Sequence, residues 1–135
     1  RDGKVIASDA DADLALVRVP GLKGTPRPVA SEDDSATGRA TLFGYPGGSY
    51  LVSGGSVDAD GDLNFKVYAG NSGGPLMKDG KVVGILVRYH GVATASQIRS
   101  FLKAAGHAEL FANRGKSGGP HLTVEPLKTT GRTRN

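Results

Sequence analysis

The sequence contains no cysteine, no tryptophan and a single methionine, and its aromatic residues are four Phe and four Tyr. Without cysteine the chain can form neither a disulfide framework nor a thiolate metal site. No apolar run is long enough to span a bilayer, so no membrane segment is predicted. The apolar share, 38% of 135 residues, is enough for a modest core of one domain.

A basic body is also lacking, although the net charge of the chain is +4. Residues 1–111 hold 12 Lys or Arg and 12 Asp or Glu, so the whole net charge of +4 comes from residues 112–135. These last residues show no helix or strand pattern and are rich in Gly, Lys, Thr, Pro and Arg. We therefore predict one domain over residues 1–111, a basic flexible tail over 112–135, and no nucleic-acid partner.

Histidine is missing from the first 89 residues, which matters because residues 70–76 read GNSGGPL. A serine hydroxyl is a good nucleophile only when a base removes its proton and donors await the oxyanion. A tight glycine-rich turn supplies such donors, here the N–H groups of Gly70 and Ser72. The alternative is an ordinary glycine-rich loop. The flanking strand patterns favour Ser72 as a nucleophile.

Short apolar runs recur between clusters of Gly, Pro, Asp and Ser, which is typical of an antiparallel β barrel or sandwich. The sequence Asp79-Gly80 between two such runs predicts a hairpin. The predicted strands are 3–8, 14–19, 39–44, 50–57, 63–68, 75–78, 81–87 and 91–94.

One helix is predicted after Thr94, which forms a capping box with Gln97. Gly106 provides the stop signal. The apolar stripe of this helix consists of Ile98, Phe101, Leu102 and Ala105.

The segments GNSGGPL and GKVVGILV (80–87) resemble the nucleophile region of trypsin-like, chymotrypsin-fold serine proteases. The resemblance is closest to the bacterial branch of HtrA/Deg-like and related secreted peptidases. Upstream, ASDADADLALVRV (7–19) is similar to the family's aspartate segment, which makes Asp13 the triad aspartate. GYPGG (44–48) and residues 91–106 also resemble the bacterial members.

The resemblance implies an all-β fold of two six-stranded barrels with the site in the cleft between them. In this chain the second barrel would be complete, the first partial, and a C-terminal helix would follow. It implies a serine endopeptidase acting on polypeptides and favours a secreted or periplasmic location. Residues 1–111 would then be an N-terminally truncated trypsin-like peptidase domain.

The family's histidine precedes its aspartate, whereas the histidines of this chain all follow Ser72 and are His90, His107 and His121. We expect that the base lies in a segment upstream of this chain, and that residues 1–135 alone are inactive. An alternative is a protease-like module without catalysis that binds peptides or protein partners. A base role for His90 would need a new geometry.

Substrate contacts are expected from Lys66, six residues before Ser72, and from Val87, Arg88 and Tyr89 in the strand 84–89. Lys66 would face the base of the specificity pocket and, with Arg88 and His90 near the pocket wall, would favour an acidic side chain. Alternatively, Lys66 points into water. The strand would pair with the substrate backbone.

No cofactor or metal is predicted. Two runs of alternating aspartates, residues 9–13 and 58–62, have the first spacing of a calcium loop. Both lack the glycine and the glutamate that such a loop requires at its sixth and twelfth positions.

Overall fold

The computed structural model describes residues 2–60, 62–88, 91–112 and 122–125. These ranges contain eight strands and two α-helices, and a 3-10 turn (Pro46–Gly48) connects the third and fourth strands. In chain order the elements are β1 (Lys4–Asp9), β2 (Leu14–Arg18), β3 (Gly38–Gly44), β4 (Leu51–Val57), β5 (Pro75–Lys78), β6 (Lys81–Leu86), β7 (Val92–Thr94), α1 (Ala95–Ala104), α2 (Glu109–Ala112) and β8 (Leu122–Glu125).

The strands form two antiparallel sheets, with the orders β1-β2-β8 and β4-β3-β5-β6-β7. Every predicted strand but one is present, with bounds that differ by at most one residue. The hairpin between β5 and β6 is confirmed. Asp79 and Gly80 have φ values of 54° and 78°, as the two-residue turn between twisted strands requires.

The strand predicted at 63–68 is wrong. Its residues alternate between exposed and partly buried, which is the pattern that suggested a strand. Pairing is nevertheless limited to a single bridge between Val57 and Leu63. Next to this bridge the Ser56 N–H donates to a side chain instead of a backbone carbonyl, namely to Asn64 Oδ1 at 2.8 Å. Within the described residues the second sheet therefore has five strands.

Helix α1 begins and ends where the sequence predicts. The Gln97 N–H donates to Thr94 Oγ1 at 3.2 Å, and the Thr94 N–H donates to Gln97 Oε1 at 2.8 Å. Gly106 follows with a φ of 84°. The helix packs β2 against the second sheet through a buried cluster that consists of Leu14, Leu16, Ile85, Ala93, Ile98, Phe101 and Leu102.

Strand β8 lies in the segment predicted as a flexible tail. It pairs antiparallel with β2, and Val124 lies opposite Leu16. The alternating sequence Leu-Thr-Val-Glu suits the free edge of β2, so the structure differs from expectation at these four residues. Residues 113–121 and 126–135 lie outside the described ranges. No helix of the described part of the chain is long and apolar enough to cross a membrane.

Candidate active site

Ser72 is exposed in the turn that precedes β5. The Gly74 N–H donates to Asn71 O at 2.9 Å and closes the turn. Two further hydrogen bonds join it to the end of β6. The Gly73 N–H donates to Leu86 O at 2.7 Å, and the Leu86 N–H donates to Gly74 O at 3.0 Å. The hydroxyl is therefore presented to solvent from a loop that is anchored on β6.

Glycine is required at three positions of this turn, for two different structural reasons. Gly70 and Gly73 have φ values of 98° and 91°, a region that residues with a side chain rarely adopt. At Gly74 the reason is space, because a Cβ atom there would lie 2.2 Å from Phe43 O and 3.0 Å from Asn71 O. The loop is thus packed directly against β3.

Two N–H groups of the Ser72 turn, those of Gly70 and of Ser72 itself, are the predicted donors of an oxyanion hole. Among the described residues, neither Gly70 N–H nor Ser72 N–H donates a hydrogen bond, whereas the N–H groups of residues 71, 73 and 74 all do. Two donors next to a serine hydroxyl are what a developing oxyanion requires. The oxyanion hole at these residues stays a prediction that this geometry allows.

Asp13 is the last residue of the four-residue loop that joins β1 to β2. Asp9 shapes the loop, since its Oδ1 accepts the N–H groups of Asp11 at 3.0 Å and Ala12 at 3.1 Å. Asp13 itself has a φ of 59°, which Asp and Asn tolerate better than most residues. Asp9 and Asp11 are exposed, whereas Asp13 is 4% exposed.

The two carboxylate oxygens of Asp13 have different surroundings. Oδ2 accepts the backbone N–H of Arg88 at 3.0 Å, and the Arg88 Nε lies 3.8 Å from the same oxygen. Oδ1 is buried and has no hydrogen-bond partner among the described residues. Burying a carboxylate is costly unless it is paired, so an unpaired buried oxygen calls for an explanation in function.

The end of β6 and the residues just after it contact the loops of both candidate catalytic residues. Leu86 exchanges two hydrogen bonds with the Ser72 loop, and Arg88, two residues later, binds Asp13. The fold therefore brings two loops that are far apart in sequence to the same end of one strand.

The described histidine belongs to another part of the molecule. His107 follows α1, and its Nδ1 lies 3.2 Å from Glu109 Oε2. The pKa of Glu109 is lowered, first by a hydrogen bond from its own backbone N–H and then by one from His107. His90 and His121 lie outside the described residues.

The predicted substrate residue Lys66 is exposed. Its Nζ lies 5.7 Å from the centroid of the Tyr68 ring, within the range of a cation–π contact. Such a contact places the ammonium group beside an exposed aromatic ring in the segment that leads into the Ser72 loop. A role in substrate binding stays a prediction.

The other predicted substrate residues follow β6. Val87 is partly buried, and its N–H donates to Gly91 O at 2.9 Å. The Arg88 guanidinium reaches the β1–β2 loop, where its Nη2 donates to Ala10 O at 2.7 Å. Tyr89 lies outside the described residues.

The acidic run 58–62 brings three exposed carboxylates together, with ligand atoms within 4.8 Å of one another. Asp58 Oδ1 accepts the N–H groups of Asp60 at 2.9 Å and Asp62 at 3.0 Å. These bonds describe an aspartate-stabilised turn. Exposed acidic groups of this kind are common without a metal, so the run carries no metal assignment.

Two features of the site have no signature in the sequence. The first is the contact of Arg88 with Asp13, because the two residues are 75 positions apart. The second is Asn71, which is 1% exposed and has a buried Nδ2 without a partner among the described residues. A Cβ atom at Gly44 would lie 2.5 Å from Asn71 Oδ1, so this amide fills the space under the Ser72 loop.

Comparison with known proteins agrees with this architecture. The sequence profile of the family described as trypsin-like peptidase domain matches residues 1–85, which include Asp13 and Ser72. No curated protein sequence matches the chain significantly. The structure is similar to the crystal structure of Rv3671c from M. tuberculosis, a serine-to-alanine mutant in its inactive form, with a TM-score of 0.59 and 22% identity.

That similarity covers 78% of this chain and 65% of the other chain, so this chain spans less than two thirds of the solved structure. At this level of identity the likeness identifies the fold. It confirms the prediction of an all-β, chymotrypsin-like fold with a C-terminal helix.

Proposed function

The chain belongs to the trypsin-like peptidase domain family, and we propose that it carries the nucleophile and the aspartate of a serine endopeptidase. In this proposal a histidine from outside residues 1–135 removes the proton of Ser72 Oγ, which attacks a peptide carbonyl. The N–H groups of Gly70 and Ser72 bind the oxyanion, and the histidine gives its proton to the leaving amine as the C–N bond breaks. Water, deprotonated by the same histidine, then hydrolyses the acyl-enzyme and frees Ser72. Asp13 orients the histidine and stabilises its charged form.

The observation that carries this proposal is the state of the Asp13 carboxylate. Asp13 is 4% exposed, one oxygen is held by Arg88, and the other has no partner among the described residues. An imidazole N–H is a donor that would satisfy such an oxygen. The Ser72 loop is hydrogen-bonded to Leu86 and Asp13 to Arg88, two residues later, which supports a single histidine that serves both.

We further propose that the protein is a member of the bacterial HtrA/Deg-like or related secreted peptidases. The sequence segments 44–48 and 91–106 support this, since they resemble the bacterial members. Some trypsin-like proteases are activated when a newly formed N-terminal amine pairs with an aspartate directly before the nucleophile. We do not expect this activation here, because residue 71 is asparagine and cannot form that ion pair. The substrate is a polypeptide.

The test uses the natural protein, including any sequence that precedes residue 1, and a fluorophosphonate probe that reacts with an activated serine. We expect the parent to be labelled and Ser72→Ala to remain unlabelled. Ser117→Ala is the matched control, because it changes the serine of the second Ser-Gly-Gly-Pro in the sequence. Asp13→Asn should slow labelling by about 10⁴-fold. Residues 1–135 alone should not react.

Labelling that survives in Ser72→Ala would refute the nucleophile. A folded natural protein that is not labelled at all would refute the peptidase. His90→Gln tests the alternative base within this chain, and we expect it to leave labelling unchanged.

The second candidate function is a protease-like module that binds peptides or protein partners without cleaving them. It applies if no histidine of the natural protein reaches Ser72, since without a base Ser72 has no means of activation. The same labelling experiment separates the two functions. A protein that binds extended peptides with equal affinity before and after Ser72→Ala, and is never labelled, is the binding module.

A further inference from the structure

Arg88 contacts the loop that carries Asp13 at three points. Its backbone N–H donates to Asp13 Oδ2 at 3.0 Å, and its Nη2 donates to Ala10 O at 2.7 Å. Its Nε lies 3.8 Å from Asp13 Oδ2. Because Ala10 and Asp13 are the first and last residues of the β1–β2 loop, one arginine holds both ends of it.

The two contacts with Asp13, from the backbone N–H and from Nε of Arg88, are both with the Oδ2 atom of the carboxylate. The Arg88 side chain is 43% exposed and the Asp13 side chain 6% exposed. Water therefore reaches the arginine of this pair but hardly reaches the carboxylate. The neighbouring acids do not contact Arg88: Asp9, the last residue of β1, accepts two N–H groups of the loop, and Asp11 is exposed. A carboxylate held through Oδ2 presents Oδ1 in a fixed direction.

We propose that Arg88 is a positioning residue, which holds Asp13 Oδ2 so that Oδ1 is directed at the histidine that activates Ser72. This inference rests on the proposed function. It differs from the expectation that Arg88 attracts an acidic substrate side chain, because the guanidinium is committed to Ala10 and Asp13. The alternatives for Arg88 are therefore substrate selection and control of the triad.

The positive charge of Arg88 has a second consequence. A cation close to the pair formed by Asp13 and the histidine opposes the positive charge of the imidazolium. It lowers the pH at which the histidine loses its proton, so that more of the base is neutral near pH 7. Removing the charge should therefore move the acidic limb of the activity profile to higher pH, an effect that substrate selection does not predict.

The experiment compares Arg88→Gln and Arg88→Lys with the parent in the natural protein. Arg39→Gln is the control, since Arg39 is an exposed arginine on β3. kcat and kcat/KM are measured from pH 5 to pH 9 on peptides that differ only in having Glu, Gln or Leu before the cleaved bond.

We expect Arg88→Gln to lower kcat on the order of tenfold. It should also raise the pH of the acidic limb of kcat/KM by roughly half a unit, with the preference among the three peptides unchanged. Arg88→Lys keeps the charge but not the planar fork, so it should keep the pH profile and lose part of kcat. Arg39→Gln should match the parent.

An unchanged pH profile in Arg88→Gln overturns the proposal, whatever happens to kcat. A selective loss of activity on the Glu peptide overturns it as well and assigns Arg88 to substrate binding. Asp13→Asn separates this failure from failure of the proposed function. If Asp13→Asn is fully active, the triad aspartate is wrong, whereas an inactive Asp13→Asn beside an unaffected Arg88→Gln refutes only the role of Arg88.

Discussion

Substitution of Gly74 by alanine is the sharpest test of how the Ser72 loop is built. Gly74 does not have a positive φ, so an alanine there carries no conformational penalty. The added Cβ would instead lie 2.2 Å from Phe43 O and 3.0 Å from Asn71 O. Both neighbours are backbone atoms, which cannot rotate away as a flexible side chain can. The loop must therefore move away from β3.

The size of the effect follows from what that movement breaks. Relief of the contact with Phe43 O needs a shift of about 1 Å, since carbon and oxygen atoms that are not bonded stay more than about 3 Å apart. Such a shift disturbs the Gly74 N–H bond to Asn71 O and the Leu86 N–H bond to Gly74 O. Two hydrogen bonds contribute about 2 kcal/mol, and alanine recovers roughly 0.5 kcal/mol through the unfolded chain.

We therefore expect Gly74→Ala to lower the free energy of unfolding by about 1.5–3 kcal/mol, which corresponds to a Tm lower by roughly 5–12 °C. Thermal unfolding followed by circular dichroism measures this, and fluorophosphonate labelling reports on the loop. Gly91→Ala is the matched control, because its Cβ would meet Val87 Cγ2 at 3.4 Å and Arg88 O at 3.5 Å, which are ordinary contacts. A Gly74→Ala protein that melts with the parent and labels at the same rate would refute the packing described for the loop.

Three further predictions concern the scaffold. A hydrogen bond from Lys81 and a backbone hydrogen bond from Ser31 hold the pKa of Asp34 well below its usual range. Because the pKa of Asp34 is lower in the folded state than in the unfolded state, this stabilisation is present above about pH 4 and is lost as the pH falls further. The difference in urea midpoint between the parent and Asp34→Asn should therefore shrink from pH 5 to pH 2. A constant difference would contradict this prediction. Gly80→Ala should cost about 1 kcal/mol in chemical unfolding, since Gly80 has a φ of 78° and open space around it. Thr94→Ala should cost about 1 kcal/mol through loss of the helix cap, and a value near zero would show that the cap is not used.

Local patterns predicted the parts of this fold that local chemistry decides. The Asp79-Gly80 turn needs positive φ at both positions, and the capping box at Thr94 needs side chains three residues apart. Both are properties of a few neighbouring residues, so both could be predicted from the sequence. The same holds for the Ser72 turn, whose glycines permit the backbone that the motif requires.

Contacts between distant segments decided the rest. Residues 63–68 alternate as a strand does, but only Leu63 pairs with another strand. Whether a partner strand is available to the other residues is not specified by the sequence of this segment. Strand β8 could not be predicted because its pairing depends on the free edge of β2, more than a hundred residues earlier. The contact of Arg88 with Asp13 is of the same kind. An arginine at the end of an apolar strand gives no indication of which acid it meets.

The two candidate functions make different demands on Asp13. For a binding module, the loop needs only a residue that tolerates a φ of 59° and accepts the Arg88 N–H, and asparagine does both without a buried charge. For a peptidase, the negative charge is what stabilises the histidine after Ser72 has lost its proton. In Asp13→Asn, the lost ion pair with a half-exposed arginine is worth at most about 1 kcal/mol and is offset by the charge that no longer has to be buried. We therefore expect the Tm of Asp13→Asn to lie within about 4 °C of the parent while labelling of Ser72 is lost. That result would assign the carboxylate to catalysis. A much lower Tm would instead make Asp13 a structural residue and would favour the binding module as the function of this site.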